Sequence, residues 1–493
     1  MDQAAIGLPP HKLKTFFLLL ALTVAAIAVQ GYHPATEDAE IYTPGILKLL
    51  HPELFPYNAQ FFQSHAHLTV FPNLIAGSVR LLHLPLSVML LVWQVVTTFL
   101  LLWGCLRIGR LCFGDGPAAW CSVSLIAGLL SLPVAGTALL LMDPYLTTRS
   151  FSAPLAILAI ACVLESRLIS AVFWILLTTA FHPLMAVFAA AYVACLLFLR
   201  ARQQPAVTAA VFLFGFPQSM FPPVTPEYRE ILHTRSYFFL TSWEWYEWLG
   251  LLAPFAIFAV FMKVARRYSL GPMRLACSAV ILFSAIFFAI SLVIARPGRF
   301  ENFAELQPLR FLHLSYLLMF LFVGGLIGKF LLKGHLWRWL LLFVPLCSGM
   351  AYAQHQNAPS SAHLELPGHA SQNPWVQAFQ WIRLNTPKDA YFALNPRHMG
   401  LPGEDQHGFR AIAERSMLAD AVKDSGAASM FSALAVPWKE QVSAQAHWEN
   451  FTRADLLRLK QRFGVNWVVL QQPGLPDLPC LYHNDLLLVC RIE

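Results

Sequence analysis

Between Thr15 and Ala353 apolar runs long enough, or nearly long enough, to cross a bilayer recur one after another, and beyond Ala353 they stop. The runs fall near residues 15–30, 68–82, 86–106, 117–141, 151–164, 168–181, 183–200, 206–221, 248–264, 272–295, 308–332 and 336–353. Only 12% of the residues are charged and 57% are hydrophobic, against the roughly 25% charged content of soluble domains. The expected class is therefore a mainly α membrane protein with about 11–13 spans. The break at Phe181-His182-Pro183 and the thin run at 68–82 mark kinked or partial spans, because proline interrupts the helical hydrogen-bond ladder.

The formal net charge is +7, yet the basic residues lie mostly in short connections between apolar runs, so a nucleic-acid partner is excluded and the membrane takes its place. Lys12 and Lys14 place the N-terminus in the cytoplasm, and the first apolar run reads as a retained span rather than a cleaved signal. The clusters Arg200/Arg202, Lys263/Arg266/Arg267 and Lys329/Lys333/Arg338 are also read as cytoplasmic, which sends the C-terminus outside. That orientation needs an odd number of spans. With twelve runs, either one of them does not cross or one further span is hidden, and 68–82 or the pair around His182 is suspected.

Domain organisation follows from the same change of composition. Residues 1–353 form the membrane domain with a first outer loop at 31–67. Residues 354–374, rich in Pro, Ser, His and Asn, form a linker, and 375–493 form a small extracytoplasmic α/β domain. Apolar spacing predicts helices over Trp375–Asn385 and Arg453–Phe463, strands over Ala390–Leu394 and Asn466–Leu470, and a hairpin over Cys480–Arg491 turning at Asn484-Asp485. A three-residue turn sets Cys480 opposite Cys490 for a disulfide, whereas a two-residue turn forbids it. The other seven cysteines lie in or beside apolar runs and read as small buried hydrophobes.

The first outer loop carries Glu37, Asp38 and Glu40 just past the first span. Ile41 to Leu50, Leu54-Phe55-Pro56-Tyr57 and Phe61-Phe62 are too apolar for a free loop and predict short helices along the membrane surface, which hold the carboxylates over the bilayer. They read as the mouth of an active site. In Met142-Asp-Pro-Tyr-Leu-Thr-Thr-Arg-Ser150, Asp143 and Arg149 either close a tight loop as a structural pair or join the first-loop acids, with Arg149 binding an anion through its paired donors. Arg229, Arg235, Arg296, Arg299, Glu301, Glu305 and Arg310 are placed on the same outer face. The Trp243-Glu-Trp-Tyr-Glu-Trp248 run is read first as an interfacial belt, although aromatic rings also stack on sugars. His65, His67 and His182 are read as hydrogen-bonded packing residues before metal ligands. The charged residues of Gly408–Ser416 and Leu418–Asp424 are read as solvated helix faces before site residues.

A first span, an acidic motif opening a long outer loop with surface helices, many further spans and a C-terminal extracytoplasmic α/β domain together resemble the GT-C membrane glycosyltransferases. That class includes the oligosaccharyltransferase catalytic subunit, protein O-mannosyltransferases and the aminoarabinose transferase of lipid A. The segments EDAEIYTPGILKLLHPELFPYNAQFF, MDPYLTTRSFSAP and GFRAIAERSMLADAVKDSGAASMF are also similar to a bacterial polytopic membrane family of uncharacterised activity. The resemblance implies transfer of a sugar from a polyprenyl-phosphate donor to an acceptor on the periplasmic face of the bacterial inner membrane. It makes Asp38 the catalytic acid-base group, with Glu37 as its neighbour and Asp143 as a second acid. Arg149, Arg296, Arg299 and Arg310 become candidates for the lipid phosphate, with Glu40 and Tyr42 in the substrate-binding set. A carboxylate beside another acid is expected to have raised proton affinity, which suits hydroxyl activation. A divalent cation is compatible with that class, but the second outer loop offers a single Asp143 rather than an acidic pair. Two other classes stand beside it: a non-catalytic assembly protein, and a transporter, which would carry ionisable groups within its spans.

Overall fold

The computed structural model describes residues 10–202, 224–296, 298 and 300–493. The run expected at 206–221 and Arg299 lie outside them. The first described element is helix α1 (Pro10–Gln30), followed in the loop at 31–67 by α2 (Ala39–Leu50) and α3 (Gln60–Ala66), and then by α4 (Phe71–Leu82) and α5 (Leu86–Phe113). Next come α6 (Pro117–Gly128), a small hairpin of β1 (Pro133–Val134) and β2 (Leu139–Leu140), α7 (Thr148–Leu164), α8 (Leu168–Phe181) and α9 (Pro183–Arg202). The surface helix α10 (Pro226–His233) precedes α11 (Trp245–Arg267), α12 (Gly271–Ile294), α13 (Phe311–Ile327) and α14 (Leu336–Asn357).

Seven of the described helical segments are long and apolar enough to cross a membrane, and α6, α7 and α8 are shorter apolar helices. The helix in 68–82, one of the runs suspected not to cross, has only 12 residues, about 18 Å at 1.5 Å per residue, too short for a core of roughly 30 Å. One expected run is corrected. The run 117–141 is helical only to Gly128, because Pro133 to Leu140 turn back as the hairpin.

Apolar character around its whole circumference puts α7 at the centre: every residue from Thr148 to Val163 is buried. Glycines let α13 lie close to α6. A Cβ on Gly324 would come within 2.7 Å of the Cys121 carbonyl, and one on Gly328 within 2.6 Å of the Cys121 Cβ.

The first and last apolar helices end at the same face. His363 Nε2 lies 2.8 Å from the Ala28 carbonyl, and Tyr32 bridges Leu364 just beyond α14.

Past the linker, α15 (Pro374–Asn385), β3 (Tyr391–Ala393), α16 (Phe409–Ala413), β4 (Ser416–Met417), α17 (Asp424–Met430) and α18 (Ala435–Ala444) lead to α19 (Arg453–Phe463), β5 (Trp467–Gln471), β6 (Cys480–His483) and β7 (Leu487–Arg491). The strands form one mixed sheet in the order β4-β3-β5-β7-β6, parallel across β4-β3-β5 and antiparallel across β5-β7-β6. One face packs on α15 and α16 through Trp375, Phe379, Phe392 and Phe409, the other on α19 through Leu456, Leu459 and Val468. Cys480 and Cys490 are bonded, with Cα atoms 3.8 Å apart. Turn length alone does not align them: Tyr482 pairs with Val489, and an irregularity at Leu481 restores Cys480 opposite Cys490.

Candidate functional site

The loop at 31–67 is stitched into the C-terminal domain. The Glu37 amide donates to the Gln406 carbonyl at 2.8 Å, and the Gly408 amide donates to the Ala35 carbonyl at 2.8 Å. Farther along the loop, Asn58 Nδ2 donates to the Tyr391 hydroxyl and to Gln441 Oε1, both at 2.7 Å, and Tyr57 stacks on Tyr391. Glu37 takes a left-handed φ of 53°, so consecutive acids turn to the same side of the chain.

Asp38 stands at the N-cap of α2, where an aspartate ordinarily accepts its own helix's amide protons, yet its side chain makes no cap bond. It accepts instead from Arg149 Nη2 at 2.8 Å and from Lys423 Nζ at 3.0 Å. Arg149 is aimed by a capping box at the start of α7. The Thr147 hydroxyl accepts from the Arg149 amide, and the Ser150 hydroxyl accepts from the Thr147 amide. The guanidinium also bonds Asp143 Oδ2, at 2.9 Å from Nη2. Lys423, from the turn before α17, pairs with Glu37 as well as Asp38. Cations from two distant segments thus meet on one first-loop acid.

The expected rise in the proton affinity of Asp38 is overturned by this arrangement. Burial alone would raise its pKa, but the Lys423 ammonium and the Arg149 guanidinium hold it well below the usual carboxylate range. Burial pushes Asp143 up, with Arg149 opposing and Asp38 adding to the rise. Lys423 is held above its ordinary value: burial opposes its charge, but Asp38 and Glu37 outweigh that.

A cavity of about 1040 Å³ opens against these residues, between the membrane helices, the first loop and the C-terminal domain. Glu37, Asp38, Asp143, Arg310 and Lys423 line it. Among the described residues Arg310 has no ion pair, and its buried Nε has no hydrogen-bond partner, so a guanidinium stands uncommitted at the wall. Trp243 is buried beneath Gly136 while Trp245 and Tyr246 are exposed, so the aromatic run divides between packing and surface.

Three expected site residues sit elsewhere. Arg296 is exposed and does not line the cavity. Tyr42 accepts a hydrogen bond from the Thr148 hydroxyl at 3.2 Å and is not on the cavity wall. Glu40 is fully buried behind the wall and engaged by the C-terminal domain: its oxygens accept from the Arg410 and Ala411 amides, both at 3.0 Å, and from Arg410 Nη1 at 3.3 Å. Arg410 also holds Asp424 with both arms, at 2.9 and 2.6 Å, and lies 3.9 Å from Asp420. Burial pushes Glu40 up to about 8 despite Arg410, with Asp420 adding to the rise, and burial likewise pushes Asp424 up to about 6.

The segments 408–416 and 418–424 are therefore not solvated faces. Arg410, Asp420 and Asp424 are at most 1% exposed and Lys423 is 8% exposed. Gly408 is the position where 408–416 and α2 meet most closely: a Cβ there would lie 2.4 Å from Glu40 Oε2. His65 packs edge-on against Phe431 and Tyr42, and among the described residues no three His, Cys, Asp or Glu side chains are grouped to hold a metal ion. Asp38 and Asp143 do not fit a shared cation, because the Arg149 guanidinium occupies the space between them.

No family model matches the chain, and no curated protein matches it. The chain is a multi-pass membrane protein by its apolar helices, with a small C-terminal sheet domain.

Proposed function

We propose that this chain is a membrane glycosyltransferase of the GT-C type, moving a sugar from a polyprenyl-phosphate donor to an acceptor on the periplasmic side of a bacterial inner membrane. The observation that carries the reading is the cavity of about 1040 Å³ at the junction of apolar helices, an acidic loop and a covering domain, with charges of both signs on its wall. The uncommitted Arg310 suits the donor phosphate, and a guanidinium stays charged at any relevant pH. Asp38, kept anionic by its two cations, suits the positive charge that develops at the anomeric carbon as the phosphate leaves.

The test compares wild type, a deletion and a chromosomal Asp38→Asn strain at equal expression, with mass spectrometry of lipids, envelope polysaccharides and proteins. Loss of one sugar modification in the deletion and a fall of about 10²–10³-fold in Asp38→Asn is expected. One observation favours a second reading, a non-catalytic assembly protein: Asp38 is tied to both Arg149 and Lys423, an arrangement that also serves simply to clamp domains. Under that reading the deletion alters the envelope, while Asp38→Asn, at matched protein level, leaves every sugar in place.

A further inference from the structure

A transferase cavity needs a group that can take the acceptor's proton, and most acids on this wall are already engaged. Glu37 is bound by Lys423, Asp38 by Lys423 and Arg149, and Asp143 by Arg149 and the Thr147 hydroxyl. Asp405 accepts from the Ser360 amide at 2.9 Å, the Ser361 hydroxyl at 2.7 Å and the Asn373 amide group at 3.4 Å. Glu247 accepts from the Glu244 amide and so caps its own helix. Hydrogen bonds and ion pairs of this kind favour the ionised carboxylate over its protonated form.

His33 differs from all of them. It lines the cavity, is only 2% exposed, and neither ring nitrogen has a hydrogen-bond partner among the described residues. Its backbone is fixed, since the His33 amide donates to the Pro144 carbonyl at 2.9 Å. Behind it stands Glu365 of the linker, with Oε2 3.7 Å from His33 Nδ1 and Oε1 2.8 Å from His407 Nε2. His407 Nδ1 lies 2.8 Å from the Glu404 carbonyl, so both of its nitrogens face oxygens and it is held as the imidazolium. Glu365 is accordingly an anion with one oxygen bound by His407 and the other turned to His33.

We propose that His33 is the proton-accepting residue of this cavity, that Glu365 positions it, and that His407 holds Glu365 in place. The assignment rests on the transferase reading. In the step, the acceptor hydroxyl oxygen forms its bond to the anomeric carbon while the bond from that carbon to the donor phosphate oxygen breaks. The electron pair of the broken bond stays on the phosphate. The acceptor's proton passes to a His33 ring nitrogen, giving an imidazolium beside the Glu365 carboxylate.

Two measurements test the proposal. Diethyl pyrocarbonate acylates neutral imidazole, so treating the full-length protein in detergent across a pH series and reading peptides by mass spectrometry follows His33 directly. Modification at His33 is expected, and Glu365→Gln is expected to change its rate, since the carboxylate 3.7 Å from the ring is removed. In cells, His33→Gln is expected to lower the sugar product about 10²-fold or more, and external imidazole is expected to restore part of it to His33→Ala. A His33 that resists the reagent at every pH overturns the proposal. So does a His33→Gln strain with wild-type product beside an Asp38→Asn strain that has lost it, an outcome that leaves the transferase reading standing. If the deletion itself changes no glycoconjugate, the transferase reading falls and the role of His33 in it falls too.

Discussion

Arg410→Met is the sharpest test of how the first loop and the C-terminal domain are joined. Methionine fills the volume of the arginine stem but leaves Glu40, Asp420 and Asp424 buried around no cation. Three side-chain hydrogen bonds disappear, two to Asp424 and one to Glu40. The stranded acids must then stay charged without a partner or take up protons. At pH 7.5, protonating one carboxyl of ordinary pKa near 4 costs about 4–5 kcal/mol at 1.36 kcal/mol per unit. Part of that cost is already present in the wild type, because burial holds Glu40 near 8 and Asp424 near 6. The net loss expected is about 3–5 kcal/mol, as for other buried pairs that lose one member. At about 2–4 °C per kcal/mol this lowers the unfolding midpoint by roughly 10 °C. Thermal unfolding of the detergent-solubilised protein, followed by emission of the buried Trp375 and Trp467, reads it. Lowering the pH to 5 protonates the stranded acids and should close most of the gap. A variant that unfolds within 2 °C of wild type at pH 7.5, or a gap that widens at pH 5, refutes the reasoning.

Wild-type stability should itself depend on pH through the same acids. Folded values of about 8 and 6 lie above the unfolded values near 4, so the stabilisation from Glu40 and Asp424 is complete below pH 4 and is lost as pH rises through 6 to 8. Glu365 acts in the opposite sense: burial alone would raise it, but the neighbouring imidazoles of His33 and His407, the latter hydrogen-bonded to it, bring it to about 2, so its contribution is present above about pH 4.3 and is lost as pH falls toward 2. The unfolding midpoint is expected to peak near pH 5, and a midpoint that climbs steadily from pH 5 to 8 contradicts the charge assignment. Gly408→Ala should loosen α2 from α16 by about 1–3 kcal/mol of overpacking, since the added methyl meets Glu40 Oε2 at 2.4 Å. Gly400→Ala meets nothing within 4 Å and serves as the control; equal melting of the two variants sinks the prediction.

Local pattern carried the C-terminal domain well. The apolar spacing of Arg453–Phe463 gives a helix with those ends, closed by the Thr452 capping box and by Gly464 at a φ of 82°. The run at Trp467–Gln471 is a central strand because its residues are buried on both faces through Leu470. The membrane segment was less legible, since apolar composition marks residues that avoid water but not whether a helix continues through them. Leu129 to Leu141 are mostly apolar, with only Pro133 and Ala138 exposed, yet Pro133 and the sharp turn at Gly136 break the helix there. The site was half legible. Asp38, Asp143 and Arg149 stood out as charges among apolar runs. Arg410 and Lys423 did not, because in a polar segment a charged helix face looks the same whether water or another loop covers it. What covers them is a loop more than 350 residues earlier in the chain.

That distance bears on how the cavity is built. Asp38 gives up the cap of α2, worth about 1 kcal/mol, to bond α7 on one side and the turn before α17 on the other. Such an exchange is favourable only when both cations are in place, and Lys423 is in place only while the C-terminal domain is docked. The amide ties Glu37 to Gln406 and Gly408 to Ala35 lock the same docking from the backbone, and His33 is backed by Glu365 and His407 only in that state. The membrane helices therefore supply the floor of the cavity but cannot by themselves set the charge on its acids. Proton affinity at Asp38, the position of His33 and the closure of the wall are properties of the joined chain, so each substitution proposed here should be read in the full-length protein.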